Sequence, residues 1–225
     1  MFKINNLSFS YGKLMVIDQL AWHLESGMIH GLVGKNGAGK TTLFNLISGN
    51  FTTKKGEISV EDKPINYHDI GLMETHPVFY PMITGREYMQ IFTIRNKAFD
   101  IEKWNTVFHL PLKDVVDNYS TGMQKKLSLM GMLALNKPIL ILDEPFNGLD
   151  FETVQVTRQI IQKLSENGKT VIISSHIPET LTNLCDTLSM MDKGRMAFKL
   201  QKTEFGQFED LSQALLQSIS LPDMK

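Results

Sequence analysis

Gly34-Lys35-Asn36-Gly37-Ala38-Gly39-Lys40-Thr41 is the stretch on which the fold turns. It fits G-x-x-x-x-G-K-[ST] at every position. Ahead of it, Met28 to Val33 is a short, mostly apolar run that predicts a buried strand. Behind it, Thr41 to Ser48 carries Leu43, Phe44, Leu46 and Ile47 and stops at Gly49-Asn50, which predicts a helix. A glycine-rich turn in that setting lets the backbone N–H groups of Asn36 to Gly39 wrap around anionic oxygens. The positive end of the helix dipole points at the same place. Lys40 is placed to reach β- and γ-phosphates as a point charge, the Thr41 hydroxyl suits Mg²⁺, and Thr42 continues the phosphate-binding turn. The motif indicates a nucleoside triphosphate and does not say which machine uses it.

About a hundred residues later, Ile139-Leu140-Ile141-Leu142 runs into Asp143-Glu144. An apolar run this short predicts a central parallel strand. Ligands of open α/β sheets bind beyond the carboxyl ends of strands, so Asp143 is placed to hold Mg²⁺ and Glu144 to orient or deprotonate an attacking water. Ile172-Ile173-Ser174-Ser175-His176 repeats the pattern, with His176 at the strand exit.

Working outward, residues 1 to about 26 alternate short apolar runs with turn residues and predict β-hairpin structure, as do Glu57 to Val60 with the turn Glu61-Asp62-Lys63-Pro64. From about His76 to Leu135 the pattern is helical, with capping boxes expected at Thr84–Glu87 and at Thr121–Gln124. Phe151 to Glu166 predicts an amphipathic helix stopped by Asn167-Gly168. Pro178 fits the first turn of another, and Thr187 to Met191 predicts a strand. Phe205, Phe208, Leu211, Leu215 and Ile219, three or four apart, predict a C-terminal helical tail over 200–225. Strands alternating with helices imply an α/β fold with a mostly parallel sheet.

Composition narrows the function classes. Hydrophobic residues at 42% and charged residues at 21% are those of an ordinary globular chain. A net charge of −1 does not favour nucleic acid as a partner. The single cysteine, Cys185, reads as a small packing residue in a reducing compartment. No stretch approaches the roughly 20 apolar residues of a bilayer span, and the amino terminus lacks the pattern of a signal peptide. Work at a membrane would therefore require a partner that does the spanning. A GTPase would read guanine with Asn-Lys-x-Asp, and Asn136-Lys137-Pro138-Ile139 fails at the fourth position.

With these motifs in order, the chain resembles the ATP-binding cassette (ABC) family over almost its whole length, up to about Arg195. Tyr119-Ser120-Thr121-Gly122-Met123-Gln124 is similar to the family signature, usually L-S-G-G-Q. Ser120 and Gly122 match it, while Tyr119, Thr121 and Met123 depart. Pro145-Phe146-Asn147-Gly148-Leu149-Asp150 resembles the loop that follows the acidic pair in that family, and His176 its switch histidine. Tyr11 resembles the aromatic that stacks on adenine. The glutamine that usually opens the helical subdomain is absent, and Glu74 or Thr75 occupies its region. The stretch Ile70 to Pro81, with its Glu-x-x-Pro and Phe-Tyr-Pro, is similar to the branch associated with bacitracin-type and lantibiotic-type peptide export or self-protection.

The resemblance implies a P-loop NTPase fold forming one ABC ATPase domain over 1–225, with a small antiparallel β subdomain and a helical subdomain inserted at 76–135. It implies ATP and Mg²⁺ as cofactors, with Lys40, Glu144 and His176 catalytic and Thr41 and Asp143 on the metal. Asn36, Gly37, Ala38, Gly39, Thr42 and Tyr11 would bind one nucleotide. Ser120, Thr121, Gly122, Met123 and Asp150 would face that of a second ATP-binding subunit, expected to be another copy. A membrane-spanning permease would hold the chain on the inner face of the cell membrane. A soluble single-cassette ATPase that drives assembly remains as the alternative. A translation factor would carry two cassettes, and a DNA-repair member a long coiled coil for which there is no room.

Overall fold

The computed structural model describes residues 1–53, 55–94 and 96–216. The chain opens with strands β1 (Phe2–Tyr11) and β2 (Leu14–Leu24), followed by β3 (Ile29–Val33) and helix α1 (Lys40–Ile47). Next come β4 (Glu57–Val60), β5 (Lys63–Pro64) and β6 (Ile70–Met73). Helices α2 (Gly85–Thr93), α3 (Ile101–Phe108) and α4 (Thr121–Leu135) follow. The rest is β7 (Ile139–Leu142), α5 (Phe151–Glu166), β8 (Thr170–Ser175), α6 (Glu179–Thr182), β9 (Thr187–Asp192), β10 (Arg195–Gln201) and α7 (Phe208–Leu216).

Two sheets form. One is antiparallel, in the order β2-β1-β4-β5, and the other has six strands in the order β10-β9-β3-β8-β7-β6. In the larger sheet every pairing is parallel except β10 with β9. Every residue of β3, β7 and β8 is buried, because helices or the second sheet cover both faces. Alternation along those strands divides the interior in two. Leu140, Leu142, Val171 and Ile173 pack with the apolar face of α4 and with Ile160 and Ile161 of α5. Leu32, Ile139, Ile141 and Ile172 pack with α1 and with Ile4, Leu20 and Trp22 of the small sheet. Each fully buried side chain of this size contributes about 1.5–3 kcal/mol. Trp22 Nε1 donates to Ser189 Oγ across the junction of the two sheets at 2.8 Å.

Local signals decide most helix starts. Thr84 caps α2, with Glu87 returning the bond to complete the expected capping box. The box expected at Thr121–Gln124 does not form. Ser120 is the cap of α4, its hydroxyl accepting from Met123 N, and Gln124 instead reaches the Val116 carbonyl. Pro178 stands just before the single turn of α6 rather than within it. Residues 76–83 are turn and irregular chain, so helix begins only at Gly85. Within 200–225, Leu200 and Gln201 complete β10, Lys202–Gln207 forms a 3-10 turn, and α7 is described over Phe208–Leu216. Phe208 packs edge-on against Phe198. The remainder of the expected tail, with Ile219, lies outside the described residues. Cys185 is fully buried, and burial pushes its thiol well above the usual range, as suits a packing residue.

Parallel strands empty at a common edge. Val33 leads into the phosphate loop, Met73 into Glu74-Thr75, Leu142 into Asp143-Glu144 and Ser175 into His176. Four separated pieces of sequence thus reach one place.

Candidate active site

The phosphate loop bends through Gly37 and Gly39, at φ +82° and +108°, a region that only glycine enters without strain. Lys40 begins α1 and folds back across the loop. Its Nζ donates to the Gly34 carbonyl at 2.7 Å and lies 3.9 Å from Glu144 Oε1. Burial holds this ammonium below the ordinary lysine range, with Glu144 and then Asp143 opposing the shift.

Asp143 is 2% exposed, and both its oxygens accept. The Thr41 hydroxyl donates to Oδ2 at 2.7 Å and the Ser174 hydroxyl to Oδ1 at 2.5 Å. Its amide still belongs to the sheet, donating to the Met73 carbonyl. Glu144 leaves the sheet abruptly. It adopts φ +51°, a left-handed conformation that costs a residue with a side chain about 1–3 kcal/mol. Its amide donates to Ser174 Oγ at 2.9 Å, and its carbonyl accepts from Lys125 Nζ at 2.9 Å. Its carboxylate Oε2 is 2.9 Å from His176 Nδ1. A carboxylate only accepts, so Nδ1 is the donor of this pair.

A cleft of about 760 Å³ runs over these groups. It brings together Tyr11, Asn36, Gly37, Gly39, Lys40, Thr41, Thr42, Asp143, Glu144 and His176, as well as Glu74, Thr75 and His76 from the end of β6. Tyr11 is half exposed at the rim, edge-on to Phe9 and Phe51, with its hydroxyl 3.4 Å from Thr42 Oγ1. Ala38 is buried and does not line the cleft.

Ser120, Thr121, Gly122, Met123 and Asp150 are not among the cleft's lining either. Thr121 and Gly122 lie against the loop that follows Glu144, and Asp150 ends that loop. A Cβ built on Gly122 would lie 3.4 Å from the Gly148 carbonyl, and one on Gly148 would lie 3.9 Å from Thr121 Cγ2. Asp150 caps α5, accepting from the amide and hydroxyl of Thr153, and those bonds lower its carboxyl pKa.

Two participants escaped sequence reasoning. Ser174 and Lys125 hold the acidic pair from elements 30 and 19 residues away from Glu144. The available signals were polar residues inside otherwise apolar patterns, Ser174 in a buried strand and Lys125 in a buried helix.

The arrangement suits a polyphosphate in the loop, with the hard oxygens of Thr41 and Asp143 beside it and a histidine-paired carboxylate facing the same cleft. The ABC transporter family profile matches residues 17–147, more than half of the chain. The chain is 31% identical over 211 residues to the bacitracin transport ATP-binding protein BcrA of Enterococcus faecalis, covering 88% of this chain and 68% of that protein. It is 28% identical over 218 residues to the lantibiotic transport ATP-binding protein SrtF of Streptococcus pyogenes, covering 94% and 95%. The solved ATP-binding subunit of an ABC transporter superposes with a TM-score of 0.87 at 23% identity, over 96% of this chain and 99% of that one. A dimeric ATP-binding cassette in a post-hydrolysis state with ADP and Pi gives 0.79 at 19% identity, over 90% and 99%. At these identities the two structures establish the fold.

Proposed function

From the premise that this chain belongs to the ABC transporter family, as an ATP-binding subunit and ATPase, we propose that it drives export of a peptide antibiotic or similar small molecule through a separate membrane-spanning partner. The carrying observation is the junction of phosphate loop, acidic pair and His176 in one cleft, with Glu144 turned out of its strand.

The amides of Asn36 to Gly39 and the ammonium of Lys40 hold the β- and γ-phosphates, and Tyr11 stacks on the base. Thr41 and Asp143 are the residues that would hold Mg²⁺. Their oxygens, 2.7 Å apart, are the hard donors that ion prefers, and when bound it neutralises phosphate charge. Glu144 takes the proton of the attacking water as its oxygen bonds to the γ-phosphorus and ADP leaves. His176 fixes the carboxylate that does this.

The segment Ser120–Met123 stands outside the cleft of its own chain, which supports a head-to-tail pair in which it meets the nucleotide of a second subunit. ATP then holds the pair closed and hydrolysis releases it. Among the described residues no helix is long and apolar enough to cross a membrane. Val78, Tyr80 and Met82, ahead of the helices of 76–135, are 83%, 71% and 73% exposed, an apolar surface suited to the loops of a membrane subunit. Attachment there would hold the chain at the inner face of the membrane. The relatives' names, bacitracin and lantibiotic transport proteins, support the choice of cargo class and leave a non-transport assembly role without support.

Capture of the tagged chain from gently solubilised native membranes tests this reading. A polytopic membrane protein retained in stoichiometric amount is expected. Recovery of the chain from the soluble fraction alone, still hydrolysing ATP, would overturn the transport role.

A further inference from the structure

Lys125 is an ammonium buried on α4. It is 2% exposed, and its neighbours Leu127, Leu129 and Met130 are core residues. Placing a charge there is costly unless something is gained by its contacts. Its contact is specific: Nζ donates to the carbonyl of Glu144 at 2.9 Å. The amide of that same residue donates to Ser174 Oγ. The amide of Glu144 is therefore held by a side chain of β8, and its carbonyl accepts from Lys125 of α4 and, at a longer 3.3 Å, from the Asn147 amide of the following turn.

The two restraints act on a strained residue. Glu144 at φ +51° relaxes toward an extended or helical conformation unless its flanking peptides are held. That relaxation would swing the carboxylate away from His176 and from the phosphate loop. Lys125 also balances charge. The nearby Glu144 and Asp143 carboxylates oppose the lowering of its pKa by burial.

Its position on α4 adds a second consequence. Lys125 lies five residues, less than two helical turns, beyond the cap Ser120. Any movement of the Ser120–Gly122 end of α4 is thus carried by a rigid helix to the backbone of Glu144. We infer that Lys125 is a positioning residue for hydrolysis, fixing the Glu144 backbone in its productive conformation and tying it to the Ser120–Gly122 end of α4.

This rests on the reading of Glu144 as the group that activates water, so the test separates the two. ATP affinity, KM and kcat are measured for the full chain and for K125M, K125R and E144Q. K125M keeps the length and packing of the side chain and removes the donor; K125L replaces it if K125M does not fold. Loss of a charged hydrogen bond predicts a kcat about ten- to a hundredfold lower, with ATP affinity and KM unchanged. K125R, which keeps a charged donor, is expected to recover most of the rate. An inactive E144Q beside a K125M or K125L with the wild-type kcat would overturn the role of Lys125 alone. So would a loss of ATP affinity matching the loss of rate, which marks a merely structural residue. Wild-type turnover in E144Q would overturn the reading of Glu144 and this inference with it.

Discussion

His176 Nδ1 and Glu144 Oε2 lie 2.9 Å apart, although 32 residues separate them in the chain. The contact exists because β7 and β8 are parallel neighbours, paired Leu142 with Ile173, and end at the same edge. The ring fixes the direction of the carboxylate.

Removing that ring is expected to cost rate rather than binding. His176→Ala should lower kcat for ATP hydrolysis about ten- to a hundredfold, the worth of one charge-assisted hydrogen bond, with little change in ATP affinity. Steady-state phosphate release alongside equilibrium nucleotide binding checks this. An equal loss in both would show that His176 holds the nucleotide.

Gly122 tests the pairing of subunits. Gly122→Glu places a carboxylate where the neighbouring subunit's γ-phosphate is proposed to sit, outside the cleft of its own chain. Sedimentation of the E144Q background with ATP should give dimers, and the added Gly122→Glu should return them to monomers that still bind ATP. Persistence of the dimer would remove Ser120–Gly122 from the interface.

His30 lies buried on β3, the strand that leads into the phosphate loop. Its Nε2 is 2.8 Å from the Glu25 carbonyl, which can only accept, so Nδ1 takes the Thr187 hydroxyl proton. Burial lowers its pKa from 6.5 to about 4. As pH falls from 6.5 to about 4, the unfolded chain binds a proton that the folded chain refuses. Stability from this residue is therefore present above pH 6.5 and declines by about 3 kcal/mol across that window. Urea unfolding at a series of pH values should show the decline in the wild type and a flatter curve in His30→Gln. Equal slopes would contradict it.

How much of this was legible in the sequence depended on whether the cause was local. The phosphate loop, the start and stop of α5 and the Thr84–Glu87 box are set by neighbouring residues, and the structure places them as read. Two apolar strands ending in Asp143-Glu144 and in His176 were legible because parallel strands are buried on both faces. The start of α4 was misplaced by one residue, since Ser120 and Thr121 are both good caps and only the backbone decides between them. Ser174 and Lys125 were invisible because their partners are brought by tertiary packing. The left-handed turn at Glu144 carries no signal at all, as no glycine marks it.

Glu144 turns a nucleotide-binding cleft into an ATPase, so phosphate release is to be measured for the wild type and for Glu144→Gln with Mg²⁺ and ATP. The wild type should turn over, and the variant should bind ATP as tightly while releasing phosphate at least about a hundredfold more slowly. Equal rates in the two proteins would remove Glu144 from the chemistry.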